Sequence, residues 1–295
     1  MTHKYTIEFD EETWKNLVEH AGRGNIKDYI IHLLDREFAA GRIRAVVLCG
    51  GEAADLYPTR IPIPKAMLPV NYRPVLEYLL EHLVHHGISR VTLVSGRKGN
   101  VRDHFAPLST PGLDIDIVTE PAPLGTGGAL RSVRHKVHGT FLVANGDILT
   151  NVDLSRLIRD HRASGALATL LVTHPDHSDQ HDPRRLGHVE VDAEGVVRAL
   201  VEPEEDVDLT KEPPVADPPM QYNAGVYLFE PQVLDRIAEE GRVSLETDVI
   251  PDLIKEGKVR AWTMDASDYW LDVADPREFS RAWEDMLTGK FPALA

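Results

Sequence analysis

Two aspartates and a lysine are the residues best placed for chemistry in this 295-residue chain. Asp147, in "VANGDIL", follows a glycine at the end of an apolar strand, where a carboxylate can leave the sheet and enter a crevice. Asp272, in "YWLDVADP", again follows an apolar pair at a strand end. Magnesium prefers oxygen ligands and commonly takes one or two carboxylates together with phosphate oxygens, so either acid suits a metal–phosphate site. Either could equally cap a turn, since N-G-D and D-x-x-D-P are common turn chemistry. The stretch "GGEAADLYPTRIPIPKAMLPV", residues 50 to 70, begins like a loop made to hold phosphate. Gly50 and Gly51 follow the apolar run "IRAVVLC" and offer bare backbone, and Lys65 brings a cation. Yet Glu52, Ala53, Ala54 and Asp55 have no side chain that welcomes a triphosphate.

A second glycine cluster lies in "EPAPLGTGGALR". Gly125, Gly127 and Gly128 let backbone approach a flat ring, and Thr126 could hydrogen-bond its edge; the same letters also spell a glycine-rich helix start. In "THPDHSDQHDP", His174, His177 and His181 lie among aspartates, but the prolines and polar run suit an acidic loop better than a transition-metal site. His85 and His86 end a helix, where imidazolium favours the dipole, and both are expected to be solvated. Tyr269 and Trp270 read as core beside Asp272. No serine or cysteine occupies a nucleophile elbow.

The elements that must position these residues alternate from Ile43 onward. "RAVVLC", "RVTLVSG", "LDIDIVTE", "GTFLVANGD" and "ALATLLVTHP" are short, β-branched-rich runs, separated by helical patterns such as "PVLEYLLEHLVHHG" and "GGALRSVRHKVHG". This order predicts a mostly parallel sheet with helices on both faces and a ligand at the C-terminal strand ends. "GHVEVDAEGVVRALVE" reads as a hairpin turning at Ala193–Gly195, "QYNAGVYLFEP" as a strand, and "PQVLDRIAEE", "LETDVIPDLIKEG" and "PREFSRAWEDML" as helices. Residues 204 to 219, rich in acid and proline, read as a loop. The formal charge of −15 argues against general nucleic-acid binding. The single Cys49 excludes a disulfide framework, suits a reducing cytoplasm, and sits in an apolar strand as a small hydrophobe. The N-terminus has no secretion signal, and no apolar run approaches the roughly 20 residues of a membrane span, so a cytoplasmic protein is expected.

Residues 1 to 42 read separately. "KYTIEFD" alternates like a half-buried strand, and "DEETWKNLVEHAG" and "IKDYIIHLLDREFAAG" carry apolar helical stripes. Their order resembles a ribbon-helix-helix module. The face that reads DNA in that family would carry Glu8 here, so dimerisation is the expected role, with packing against the chain's own main domain as the alternative.

From residue 43 to about 290, six segments in register resemble the sugar-1-phosphate nucleotidylyltransferases of the mannose-1-phosphate guanylyltransferase kind. They are the glycine–lysine stretch, "EPAPLGTGGALR", "FLVANGDILTNVDL", "LGHVEVDAEGVVRALVEP", "YNAGVYLFEPQVLDRI" and "YWLDVADPREFSRAWEDML". The resemblance implies a Rossmann-like α/β nucleotidyltransferase fold over 43–295, with a mostly parallel, mixed central sheet after a small β-α-α segment. It implies transfer of a nucleoside monophosphate from a triphosphate, GTP being favoured, to a sugar-1-phosphate or a cyclitol or heptose relative. It places Mg2+ on Asp147 and Asp272 and charge stabilisation on Lys65. Around the nucleotide it sets Leu48, Gly50, Gly51, Pro123, Gly125, Thr126 and Gly146; around the sugar, Gly187, Glu202 and Asn223. A homodimer or higher oligomer is expected.

Two departures stand out. The family's Gly-Thr-Arg triplet is replaced by Ala53, Ala54 and Asp55, and the lysine of its "EKP" stretch is missing because Pro203 follows Glu202 directly. Arg60, Arg184, Arg185 or Lys211 could substitute, or Asp55 could have a role of its own. The alternative is a catalytically silent nucleotide-sugar sensor or regulatory subunit.

Overall fold

In the computed structural model, the described residues are 9–21, 26, 29–30, 43–51, 63–96, 101–106, 112–174, 185–203, 220–273 and 276–291. Along the chain the strands are β1 Arg44–Cys49, β2 Pro69–Val70, β3 Arg73–Pro74, β4 Arg90–Ser95, β5 Asp114–Thr119, β6 Phe141–Asn145 and β7 Ile148–Thr150, followed by β8 Ala168–Val172, β9 His188–Val191, β10 Val197–Val201, β11 Gln221–Phe229, β12 Val259–Thr263 and β13 Trp270–Asp272. The α-helices are α1 Glu11–Ala21, α2 Val75–His85, α3 Val101–Phe105, α4 Gly125–Ser132, α5 Leu154–Ser164, α6 Ile250–Lys255 and α7 Pro276–Thr288.

Nine strands form one mixed sheet in the order β10-β9-β11-β6-β1-β4-β5, with β8 paired to β11 and β12 paired to β8. Strands β6, β1, β4 and β5 are parallel, and β11 runs antiparallel to β6. The central strands are buried on both faces, which is why they read as continuous apolar runs. Alternate residues of β1 serve opposite cores: Ala45, Val47 and Cys49 pack on one face, and Val46 on the other. Strand β11 serves several partners because it changes register between Asn223 and Tyr227. Gly225 lies in that shift at φ +68°, and a Cβ there would stand 2.6 Å from Asn145 Nδ2.

A separate ribbon carries the two aspartates. β13 pairs antiparallel with β7, setting Trp270 opposite Thr150, Leu271 opposite Leu149 and Asp272 opposite Ile148. Leu149, Leu271 and Val273 pack with Leu68, Val70, Tyr78 and Ala282 in a third core, so the ribbon rests on a rigid floor. Trp270 is buried as the sequence suggested, its Nε1–H donating to Ala224 O at 2.9 Å.

Two of the expected helical stretches take particular helical forms, and one side-chain expectation is overturned. "PQVLDR" forms a 3-10 helix rather than an α-helix. "LETDV" forms one π turn before α6, because Pro251 has no N–H to give the carbonyl one α-turn earlier. His86 is buried, not solvated: Nδ1 lies 3.0 Å from Ser155 Oγ where α2 meets the start of α5. The helix expected after Asp10 is present as α1, while most of the expected first strand and second helix of residues 1–42 lie outside the described residues.

Candidate active site

The C-terminal ends of β1, β4, β5 and β6 open into one cavity of about 680 Å3. From β1 the chain builds outward to β4 and β5 on one side and to β6 on the other, so the gap between β1 and β6 is the switch point where such sheets hold ligands. Leu48, Gly50 and Gly51 enter the wall from β1, and Asn145 and Asp147 from beyond β6. Gly146 does not line the cavity; its N–H donates to Leu48 O at 2.9 Å and pins the two strand ends together.

Lys65 opens a one-turn 3-10 helix, Lys65–Met67, anchored by its N–H on Gly51 O at 2.9 Å, and its side chain reaches the cavity. Asp147 shares that wall. Burial pushes its carboxyl above the usual range, and the Lys65 ammonium pulls it back down. Val273 N–H donates to Asp147 O at 2.8 Å, so Asp147 and Asp272 occupy neighbouring places across the ribbon. Asp147 presents a desolvated hard carboxylate to the cavity, a donor that suits a divalent cation beside phosphate, while Asp272 ends the paired strand and is not among the wall residues. No group of three or more His, Cys, Asp or Glu that could hold a metal occurs among the described residues, so phosphate and water would complete the shell. Burial, and then the Asp147 charge, push the Cys49 thiol far up, leaving it inert. The cations among the described wall residues are Lys65 and Arg242. Asp55, Arg60, Arg184 and Lys211 lie outside the described residues, and Arg185 is not on the wall.

The glycine-rich first turn of α4 is clamped from outside. Gly127 N–H and Gly128 N–H donate to Val243 O at 2.9 and 3.2 Å, and Val243 N–H donates to Leu124 O at 2.8 Å. Pro123, Gly125 and Thr126 line the cavity, but the Thr126 hydroxyl donates to Glu246 Oε2 at 2.6 Å and accepts from Leu245 N at 2.8 Å. It ties the first turn of α4 to the Ser244–Glu246 segment. Glu246, also on the wall, accepts from Ser244 Oγ at 2.8 Å and from Tyr227 OH at 3.0 Å. Tyr227 OH in turn accepts from Asn223 Nδ2 at 2.8 Å.

That chain leads to the three residues expected at the sugar, which the fold brings together. Asn223 N–H donates to Gly187 O at 2.7 Å. A Cβ on Gly187 would overlap Glu202 Oε1, so the carboxylate lies directly on that backbone. Burial, and then the charge of Glu246, push Glu202 up to about 7. Glu120, Asn145, Arg242 and Glu246 were not singled out from sequence. Glu120 is the first letter of a segment already noted, and Ser244–Glu246 sits where a helix cap would; neither signal assigns a role.

The fold and cavity are those of a nucleotidyl transferase. The family profile described as nucleotidyl transferase matches residues 44–289, and the chain belongs to that family. Among its relatives is a mannose-1-phosphate guanylyltransferase of Mycobacterium tuberculosis, 37% identical over 87% of this chain and 68% of that protein. The mannose-1-phosphate guanylyltransferase catalytic subunit beta of Drosophila pseudoobscura pseudoobscura is 28% identical over 80% of this chain and 60% of its own length. The chain thus spans roughly two thirds of the curated relatives it matches. Among solved structures, HddC from Yersinia pseudotuberculosis complexed with GMP-PN superposes with a TM-score of 0.65 at 22% identity, covering 83% of this chain and 99% of that one. No helix among the described residues is long and apolar enough to cross a membrane.

Proposed function

We propose that this chain transfers a nucleoside monophosphate from a triphosphate, GTP, to a hexose 1-phosphate or a related cyclitol or heptose phosphate, releasing pyrophosphate. The observation that carries this reading is the meeting of Lys65 and Asp147 on one cavity wall at the switch point, with Asp272 one ribbon position away. Gly50 and Gly51 offer backbone N–H groups to the triphosphate. Asp147 and Asp272 hold Mg2+, which when bound offsets the charge of the phosphates. Lys65 faces the transferring phosphate and stabilises the charge that builds as a sugar-phosphate oxygen attacks the α-phosphorus. Catalysis is positioning and charge stabilisation, with no protein nucleophile. Arg242 supplies a second cation to a cavity whose family-typical arginine position is occupied by Asp55. The hydroxyls of the sugar meet Glu202 and the Asn223 amide, which can accept and donate side by side. The buried, unreactive Cys49 suits a reducing cytoplasm.

The test is pyrophosphate release across the common nucleoside triphosphates and a panel of sugar 1-phosphates. Turnover should appear with GTP, and Asp147→Asn should lower it by about a thousandfold or more, the scale of a lost charge partner at a transferring phosphate. The absence of Arg and Lys at the two family positions favours a second reading, a silent sensor. Absence of turnover across the panel, together with nucleotide-sugar binding, would establish that reading instead.

A further inference from the structure

The hydroxyls gathered around Glu246 all point their protons in one direction. Glu246 Oε2 accepts from Thr126 Oγ1 at 2.6 Å and from Ser244 Oγ at 2.8 Å, and Oε1 accepts from Tyr227 OH at 3.0 Å. The first two hydroxyls cannot turn round, because backbone N–H groups already occupy their lone pairs. Thr126 accepts from Leu245 N at 2.8 Å, and Ser244 from Glu246 N and Thr247 N, both at 3.2 Å. Their protons therefore go to Glu246. Tyr227 is buried, and burial first, then the charge of Glu246, push its hydroxyl well above the usual tyrosine range, so it keeps its proton. With that proton given to Glu246, the Tyr227 oxygen can only accept, and it takes Asn223 Nδ2 at 2.8 Å. The far end is fixed in the same way: Gly225 N–H donates to Asn223 Oδ1 at 3.3 Å.

We propose that Glu246 is a positioning residue for the sugar phosphate: through Tyr227 it fixes which way the Asn223 amide presents its donor and its acceptor to the sugar hydroxyls. This rests on the nucleotidyl-transfer reading above. An amide is nearly symmetric in shape, so packing does not choose between its two orientations; the donors and acceptors around it do. Turned over, Asn223 would set its NH2 against the Gly225 N–H and its oxygen against a tyrosine oxygen with no proton left to give. A carboxylate accepts only, so Glu246 sets the sense of the whole relay. The inference explains why an acid stands on the wall of a cavity that must also admit a polyanion. Its charge is met by hydroxyls, and what it passes on is direction.

Glu246→Gln tests it, because the change keeps the shape and reverses the relay. Thr126 and Ser244 still need an acceptor, so the new amide oxygen takes their side and its NH2 faces Tyr227. The tyrosine then accepts from that NH2 and turns its proton on Asn223, which must flip or lose its bond. Steady-state kinetics use the full chain with GTP, Mg2+ and the sugar 1-phosphate turned over fastest in the panel above. KM for the sugar phosphate should rise about tenfold to a hundredfold, the scale of one or two lost hydrogen bonds, with KM for GTP within about twofold of native. Tyr227→Phe, which breaks the relay and spares the Thr126 and Ser244 bonds, should raise the same KM about tenfold. The two effects should not add: with no hydroxyl to turn, Glu246→Gln should cost the double variant less than about threefold more. An unchanged sugar-phosphate KM in Glu246→Gln overturns the inference and leaves nucleotidyl transfer standing. Equal rises in both KM values, the mark of a general structural role, also overturn it, as does full additivity. Should Glu246→Gln fail to fold, Tyr227→Phe decides by itself, an unchanged sugar-phosphate KM again overturning the inference. A native chain that turns over no sugar phosphate removes both readings.

Discussion

Asp147 and Glu246 line the same cavity, yet their surroundings are opposite. Glu246 accepts from Thr126, Ser244 and Tyr227, so its charge is met by protein hydroxyls before any ligand arrives. Asp147 is desolvated, and its main compensation is the Lys65 ammonium. The first arrangement is a strut, tying the first turn of α4 to the strand that carries Asn223. The second withholds compensation for something brought from outside, which is how a binding centre differs from a structural one. The cavity wall is thus hydrogen-bonded by the protein itself at Glu246 and only partly compensated at Asp147.

Stability measurements can break this contrast. Asp147→Asn, though ruinous for turnover, should leave the thermal midpoint unchanged or raise it, because it removes a buried charge. Glu246→Ala should lower the midpoint by roughly 5–10 °C, since three hydroxyls lose a charged acceptor. Differential scanning calorimetry of both variants decides; a stabilised Glu246→Ala would mean the strut carries no load. On the sugar side, Gly187→Ala places a methyl group against Glu202 Oε1. The acid must then swing away, and KM for the sugar phosphate should rise by about a hundredfold, as for a lost charged hydrogen-bond partner, with GTP affinity unchanged. Equal losses for both substrates would show that Glu202 does not belong to one subsite.

How much of this was readable in the letters depends on how local each cause is. The parallel core was legible because strands buried on both faces must be apolar along their buried length, as residues 45–49 and 141–144 are. Asp147, Asp272 and Lys65 were legible because each follows an apolar run within a spelled motif. Glu246 was not: Thr126 lies 120 positions away, and such a clamp leaves no periodic trace. Glu120 was in plain view, but only its burial, with Oε1 accepting no hydrogen bond among the described residues, distinguishes it from a turn acid. His86 was misread for a related reason. Helix position alone exposes it, while the approach of α5 covers it.

Glu202 sharpens the comparison most gently, because it stands between the two extremes. It is pushed up to about 7 by burial and by the charge of Glu246, against the 4.5 usual for glutamate. In the unfolded chain it releases its proton near the lower value; in the folded chain it keeps the proton until near the upper one. Between those values the folded state binds more protons, so stability should be greatest at the acid end and decline as pH rises from about 4.5 to about 7. Other groups titrate in the same window, so the quantity to follow is the difference between the native chain and Glu202→Gln. The thermal midpoint of the native chain should lose a few degrees relative to the variant across that interval and then run parallel to it. If the two curves are parallel throughout, the carboxylate is ionised in the folded protein at acid pH, and Glu202 belongs with the compensated Glu246 instead of with the acids held for a ligand.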